Sequence, residues 1–449
     1  MKDAMHTNTP SYHQPNIVFV FADQMRAEAT GYAGNPDVRT PNLDALAREG
    51  VVFTNAVASC PVCTPYRACL LTGRYPLSTG IFVNDVRLGE GEVTIAKALR
   101  AEGYDTAYIG KWHLDGPERS GFTPPSPRRQ GFGFWAVGNC THRYFHSIYY
   151  RDTPEPLFWE GYDAHAQTDL AVEYIRDHGR ERPFCLFLSW GPPHNPYRDV
   201  PSEYLALYDP AALRIRANVP KPDREALAGY YAHITALDED VGRIVDVLSE
   251  TGQSGDTLLI FTSDHGDMLG SQGVWRKQWP WDESVLVPLI MRYPALQGDP
   301  RGEPTPIGVD DLMPTILSLA GVAIPEPVEG SDLSGLLLGT PGPMPSSAFI
   351  MSIAPFAECL EPEWRGVRTD RYTYVKTLQG PWLLYDNRAD PYQLRNLVND
   401  GEHEALREGL EMELQAWLKR TGDEFLPAEA YHQRWGLVVD AQNAVPYTD

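Results

Sequence analysis

Asn16-Ile17-Val18-Phe19-Val20-Phe21-Ala22 is an unbroken apolar run, rich in β-branched and aromatic side chains, that stops abruptly at Asp23. A run without polar alternation predicts a strand covered on both faces, as in a parallel sheet. The same order, an apolar run and then a polar tip, recurs down the chain. Thr106–Ile109 leads to Gly110-Lys111-Trp112-His113, Phe184–Trp190 to Gly191-Pro192-Pro193-His194, and Thr257–Thr262 to Ser263-Asp264-His265-Gly266. Helical segments fall between these runs. Thr40 as cap and Pro41 at the first position open one that Gly50 closes, residues 93–102 form another ending at Gly103, and Arg224–Glu250 reads as a long amphipathic helix. The alternation predicts an α/β fold, a large central mainly parallel sheet flanked by helices. Ligands of such sheets bind at the carboxyl ends of the strands, so the four polar tips should converge.

From about Ser346 the pattern changes. Arg368–Lys376 and Trp382–Asp386 predict paired strands, and a polar helix follows over 404–420. The expected organisation is a catalytic α/β domain over 1–345 and a smaller C-terminal α+β domain over 346–449, with Pro341–Pro345 as the linker region.

Length and charge narrow the options. A chain of 449 residues suits a large domain with a smaller companion. The net charge of −22 argues against a nucleic-acid partner. It also means that an anionic ligand must be met by a local cluster of cations against the overall field, which disfavours a long polyanion. Six cysteines in so long a chain are not a disulfide framework, and Cys60-Pro61-Val62-Cys63 lacks the second pair that a zinc site would need. Met1–Gln14 is polar without an apolar core of its own, and no apolar run approaches the ~20 residues of a membrane span. The expectation is a cytoplasmic protein with no membrane partner; the oligomeric state is not legible.

The polar tips carry the chemistry. Asp23 and Gln24 follow one strand, Asp264 and His265 another; together they offer two carboxylates, an amide oxygen and an imidazole to one divalent cation. Oxygen ligands favour calcium or magnesium, and the imidazole admits manganese. Lys111, His113, His194 and Lys277 are candidate contacts for an anion. Between Glu118 and His165, the residues His142, Arg143, Tyr144, Phe145, His146, Tyr149, Tyr150, Phe158 and Trp159 either line a pocket for a sugar or aryl ring or pack their own loop. Trp279 and Trp281, near Lys277, are open to the same two readings.

Cys63-Thr64-Pro65-Tyr66-Arg67, continued by Ala68-Cys69-Leu70-Leu71-Thr72-Gly73-Arg74, resembles the signature of the type I sulfatases, of the alkaline phosphatase-like superfamily. Gly110–His113, Pro192–Tyr197, Lys277–Ser284, Val287–Ile290, Asp311–Thr315 and Leu384–Asp386 resemble segments of that family in the family's order. The resemblance spans nearly the whole chain, with a gap at about 118–165. It implies that a maturation enzyme converts Cys63 to Cα-formylglycine, whose hydrate offers one hydroxyl to attack and one to release product. It further implies that Asp23, Gln24, residue 63, Asp264 and His265 hold the cation, calcium before manganese or magnesium. Many relatives carry aspartate where Gln24 stands and asparagine where His265 stands. Arg67 would hold the diol and Lys111 and Lys277 the sulfate oxygens. His194 would protonate or position the leaving oxygen, and His113 would take the proton of the second hydroxyl. Cys60 and Cys69 read as structural. The implied reaction is hydrolysis of a sulfate monoester of a sugar or other small alcohol; the alternative is a phosphonate monoester or phosphodiester, cleaved with the same formylglycine.

Overall fold

A computed structural model describes residues 14–296, 301–357, 359 and 362–449. Apart from Gln14, the polar segment Met1–Gln14 lies outside the described residues.

Eight strands build the central sheet: β1 (Asn16–Asp23), β2 (Val51–Phe53), β3 (Asp105–Lys111), β4 (Phe134–Gly138), β5 (Phe184–Pro193), β6 (Thr257–Ser263), β7 (Leu289–Arg292) and β8 (Arg301–Glu303). Their order across the sheet is β8-β2-β7-β6-β1-β5-β3-β4. The pairs β6-β1, β1-β5, β5-β3 and β3-β4 are parallel, and β7 runs against both its neighbours. The sheet is thus mostly parallel, as the uninterrupted apolar runs require. Every residue of β1 is buried, because strands flank it on both sides and helices cover both faces.

On one face, the helices Cys63–Thr72, Ile95–Ala101 and Leu312–Leu319 contribute Tyr66, Leu70, Ile95, Leu99, Leu312 and Ile316 to the core. On the other, Asp163–Asp177 and Arg224–Glu250 contribute Ala171, Ile175, Tyr230, Ile234 and Leu237. The long helix spans the residues its amphipathic pattern predicts. It also caps a neighbour. Asp238 accepts the N–H groups of Asn42 (3.1 Å) and Leu43 (2.7 Å) at the start of the helix Pro41–Glu49. Thr40, expected to cap that helix with its own side chain, instead donates to Asp44 (3.0 Å) and accepts from the N–H of Gly31 (2.8 Å). A tertiary contact has displaced the local cap.

Beyond β8 a four-stranded antiparallel meander forms from β9 (Ser347–Ser352), β10 (Trp364–Thr369), β11 (Tyr372–Thr377) and β12 (Gly380–Asp386). The segment 368–376, read from sequence as one strand, is the end of β10, a turn and most of β11. The hydroxyl of Thr369 makes the turn by accepting the N–H groups of Arg371 (3.1 Å) and Tyr372 (2.7 Å). The helix Glu404–Thr421 lays Leu410, Leu414 and Leu418 over this sheet. Their core is shared with Cys60, Val62, Phe82 and Val83, which flank the start of the helix Cys63–Thr72. The second sheet therefore bears directly on the segment that carries Cys63. All six cysteines are free and buried. No helix among the described residues is long and apolar enough to cross a membrane.

Candidate active site

The carboxyl ends of β1 and β6 are adjacent because the two strands pair in register, Ala22 opposite Ser263. They are stitched together beyond the ladder: Asp264 N–H donates to the carbonyl of Ala22 (3.1 Å), and Gln24 N–H donates to Oδ1 of Asp264 (3.0 Å). Asp23 and Asp264 are thereby placed side by side, both fully buried. The helix Cys63–Thr72 points its first residue at them. Sγ of Cys63 is 3.2 Å from Nε2 of His265 and 3.8 Å from Oδ1 of Asp23. Ligand atoms of Asp23, Cys63, Asp264 and His265 all lie within 4.8 Å of one another.

The donor set fits a divalent cation. His265 directs Nδ1 at the carbonyl of Gly266 (3.0 Å), which leaves Nε2 free to ligate. Oε1 of Gln24 is buried with no hydrogen-bond partner among the described residues, while its Nε2 donates to Asp267 (2.8 Å). An orphaned buried amide oxygen beside two buried carboxylates is a costly arrangement unless a cation completes it. Burial and the neighbouring Asp23 both push the Asp264 carboxyl above its usual range, which likewise favours a cation.

Arg67, one turn along the helix from Cys63, locks the pair of acids. Its Nη2 lies 3.2 Å from both Asp23 and Asp264, and its Nη1 donates to the carbonyl of Lys111 (2.7 Å) and to the hydroxyl of Ser189 (2.8 Å). Lys111, the last residue of β3, reaches Asp23 at 2.5 Å and Cys63 at 4.0 Å. Lys277 Nζ stands 3.1 Å from Sγ of Cys63 and 3.0 Å from Nε2 of His194. Burial opposes a charge on Asp23, but Lys111, His194, Lys277 and Arg67 hold its carboxyl well below the usual range. Burial and Asp23 resist ionisation of the Cys63 thiol; Lys111, Lys277 and His265 outweigh them and hold it low. Position 63 is therefore a place where the protein stabilises negative charge.

The two outer histidines differ in state. His194 gives Nδ1 to the carbonyl of Asn195 (2.8 Å) and stacks on His142 with ring centroids 4.4 Å apart. Burial and Lys277 hold it well below its usual value, so it is neutral, with Nε2 accepting from Lys277. His113 donates Nε2–H to Asp85 at 3.0 Å. Burial disfavours its charge, yet Cys140 and Asp85 push it up to about 10. Gln24, Asp85, His113, Arg276 and Gln278 all adopt positive φ without being glycine, and a concentration of such strain marks a site whose surroundings hold it in place.

These groups open into a cavity of about 250 Å³ lined by Cys63, Asp85, His113, His194, Lys277 and Gln278, and by residues without a sequence motif: Arg119, Trp275 and Tyr447. A cavity of about 320 Å³ beside Asn16 and Pro183 sits at the opposite, amino ends of the strands, away from these side chains. Of the aromatic and basic loop residues singled out between 118 and 165, His142 joins the Cys63 cavity. Tyr144 is buried and braces the site from below, its hydroxyl donating to the carbonyl of His194 (2.7 Å), and Tyr149 stacks on Trp159 at 3.8 Å. Phe145 and Phe158 are exposed. Trp279 packs with Met268 and Cys359, and Trp281 donates to the hydroxyl of Tyr385 (3.3 Å); Trp275 takes the position at the cavity that the sequence suggested for them. Ser189, Asp85 and Arg119 were not found from sequence. A serine inside an apolar run and an acid after Asn84 carry no spacing that marks them.

The model of the family Sulfatase matches residues 15–322, and that of the family N-sulphoglucosamine sulphohydrolase, C-terminal, matches 270–420. An ulvan-active sulfatase of Formosa agariphila is 42% identical over 97% of this chain and 87% of its own. The crystal structure of a candidate sulfatase of Bacteroides fragilis superposes with a TM-score of 0.83 at 32% identity, covering 92% of this chain and 97% of that one. A phosphonate monoester hydrolase of Agrobacterium radiobacter shares the fold, with a TM-score of 0.72 at 24% identity over 92% of this chain and 97% of its own. With that match along the whole chain and the strand-end acids, lysines and histidines gathered around Cys63, the chain belongs to the sulfatase family, the sulfuric ester hydrolases.

Proposed function

We propose that the protein hydrolyses a sulfate monoester of a saccharide, using Cα-formylglycine made from Cys63 and one divalent cation. The observation that carries this reading is the set of charges around residue 63: Lys111, Lys277 and His265 stabilise an anion there, beside two buried carboxylates that call for a cation. The ulvan-active relative supports a saccharide as the alcohol.

Asp23, Gln24, Asp264 and His265 would hold the cation, and the mainly oxygen donor set favours calcium. When present, the hydrated aldehyde supplies a hydroxyl nucleophile and the cation supplies Lewis acidity at that point. The remaining work falls to fixed side chains. Lys111 and Lys277 bind the non-bridging oxygens and meet the charge that redistributes over them as the ester bond breaks. Arg67 holds both carboxylates in place through one nitrogen. His194, neutral and accepting from Lys277, fixes that lysine beside residue 63 and so helps position the ester. His113, already an imidazolium at neutral pH beside Asp85, supports negative charge gathering in the cavity at residue 63 rather than taking up a proton there. The near-complete burial of residue 63 excludes bulk water from the reacting atoms.

Two measurements on protein produced with a maturation enzyme test the reading. The tryptic peptide holding Cys63 should lose its thiol mass and gain that of the aldehyde or its hydrate. Para-nitrophenyl sulfate should be turned over faster than an aryl phosphonate monoester; turnover of the phosphonate alone would transfer the chain to the second activity.

A further inference from the structure

Asp85, whose Oδ1 also accepts the Nε2–H of His113 at 3.0 Å, forms an ion pair with Arg119 inside the cavity, and the proposed chemistry leaves the arginine unexplained. Arg119 meets the carboxylate with both teeth of its fork, Nε to Oδ1 at 2.9 Å and Nη2 to Oδ2 at 2.7 Å. Asp85 is almost fully buried and adopts φ 65°, a conformation that costs a non-glycine residue about 1 kcal/mol or more. It is fixed against the segment that carries residue 63. Asn84 accepts the N–H of Thr64 at 3.0 Å, and Asp85 N–H donates to the hydroxyl of Thr64 at 3.4 Å. The far end of the chain holds the arginine. The ring of Tyr447 lies 3.3 Å from the Arg119 guanidinium carbon, Arg119 N–H donates to the carbonyl of Thr448 (2.8 Å), and Thr448 N–H donates to that of Pro117 (3.2 Å). Trp275, 40% exposed, and Tyr447, 47% exposed, stand open to solvent on the same cavity.

Resting on the sulfatase reading, we propose that the Asp85–Arg119 pair is a specificity clamp that reads a free hydroxyl on the sugar carbon next to the one bearing the sulfate. The pair sets an acceptor and a donor side by side, which matches a hydroxyl, a group that both accepts and donates. A second anion fits poorly, since it would face the Asp85 carboxylate across a guanidinium whose charge is already matched. The tie to Thr64 puts the clamp within one sugar ring of residue 63. Tyr447 and Thr448 hold Arg119 in the required plane, so this segment acts as a positioning strap.

Three probes separate the clamp from the catalytic groups: a methyl hexopyranoside sulfated on a ring hydroxyl, its analogue deoxygenated at the adjacent carbon, and para-nitrophenyl sulfate. In the wild type, deoxygenation should lower kcat/KM by about 30-fold, the loss expected for a hydrogen bond to charged groups. Arg119→Ala should bring that ratio close to unity and should slow the aryl sulfate far less than the sugar sulfate; Arg119→Lys, which cannot fork, should restore little of it. Tyr447→Ala, a change at a half-exposed ring, removes the strap's stacking on Arg119 while keeping both ionised groups, and should lower the ratio several-fold. A wild type indifferent to the missing hydroxyl, a ratio that survives Arg119→Ala, or an equal loss on all three probes would overturn the clamp. Lack of turnover of the aryl sulfate by the matured wild type would instead overturn the sulfatase reading beneath it.

Discussion

At the scale of single residues, the site turns on groups whose state differs from the one their type suggests. His113 titrates at about 10 in the folded protein against 6.5 for the free side chain. Its folded value is raised, so its contribution to stability is complete below pH 6.5 and is lost as pH rises through about 10. Thermal midpoints of the wild type and His113→Asn should therefore differ most at about pH 6 and converge as pH rises through 10. Cys63→Ala should reduce turnover by at least ~1000-fold with an unchanged midpoint, since it removes the proposed nucleophile and little volume; a near-normal rate would dismiss residue 63. Cys63, Arg67, Lys111, His194 and Lys277 could be read from the chain because each sits in wording that survives without the fold. Asp85 and Arg119 could not: one follows Asn84 in an irregular segment and the other falls in a stretch that matches no motif. Their meaning arises when β3 and the helix Cys63–Thr72 bring them together.

At the scale of elements, the legible part was the strand and its polar tip. An apolar run ending in a charged residue says which strand is central and which end is functional, and β1, β3, β5 and β6 all follow it. What stayed hidden was the partner of each tip, because register is a tertiary choice. The strands run past their apolar cores into the site itself, Lys111 still pairing with Gly138 and Asp23 with Pro193. That extension makes close backbone approach a requirement. Gly110, at φ 103°, would place a Cβ 2.0 Å from the carbonyl oxygen of Ser189. Gly110→Ala should destabilise by about 3 kcal/mol or prevent folding, read as a lowered denaturation midpoint. The proposed metal site belongs to this scale too, since candidate ligands come from the ends of β1 and β6. Calcium should raise the thermal midpoint of the wild type and have little effect on Asp264→Ala, whose site has lost one of its two carboxylates.

Across the whole molecule, a net charge of −22 surrounds a cavity lined by Arg119, Arg276 and Lys277. The cavity draws an anion that the rest of the surface repels. For a polysulfated polymer, KM should fall as salt is raised from low ionic strength toward ~0.15 M, and a monosulfate should respond less, since screening acts on the distant charges first. A rising KM for the polymer would mean that local attraction dominates.

The burial of Cys63 and the cavity wall supplied by Tyr447 carry a consequence for the protein's life history. Residue 63 leaves the ribosome well before Tyr447 does. At ordinary synthesis speeds the interval is on the order of tens of seconds. Any enzyme that modifies Cys63 meets an open, extended target during that interval and a sealed one afterwards. Under the proposed formylglycine reading, maturation would be a race against folding, and slowing translation downstream of the Cys63 segment should raise the active fraction without altering a single residue.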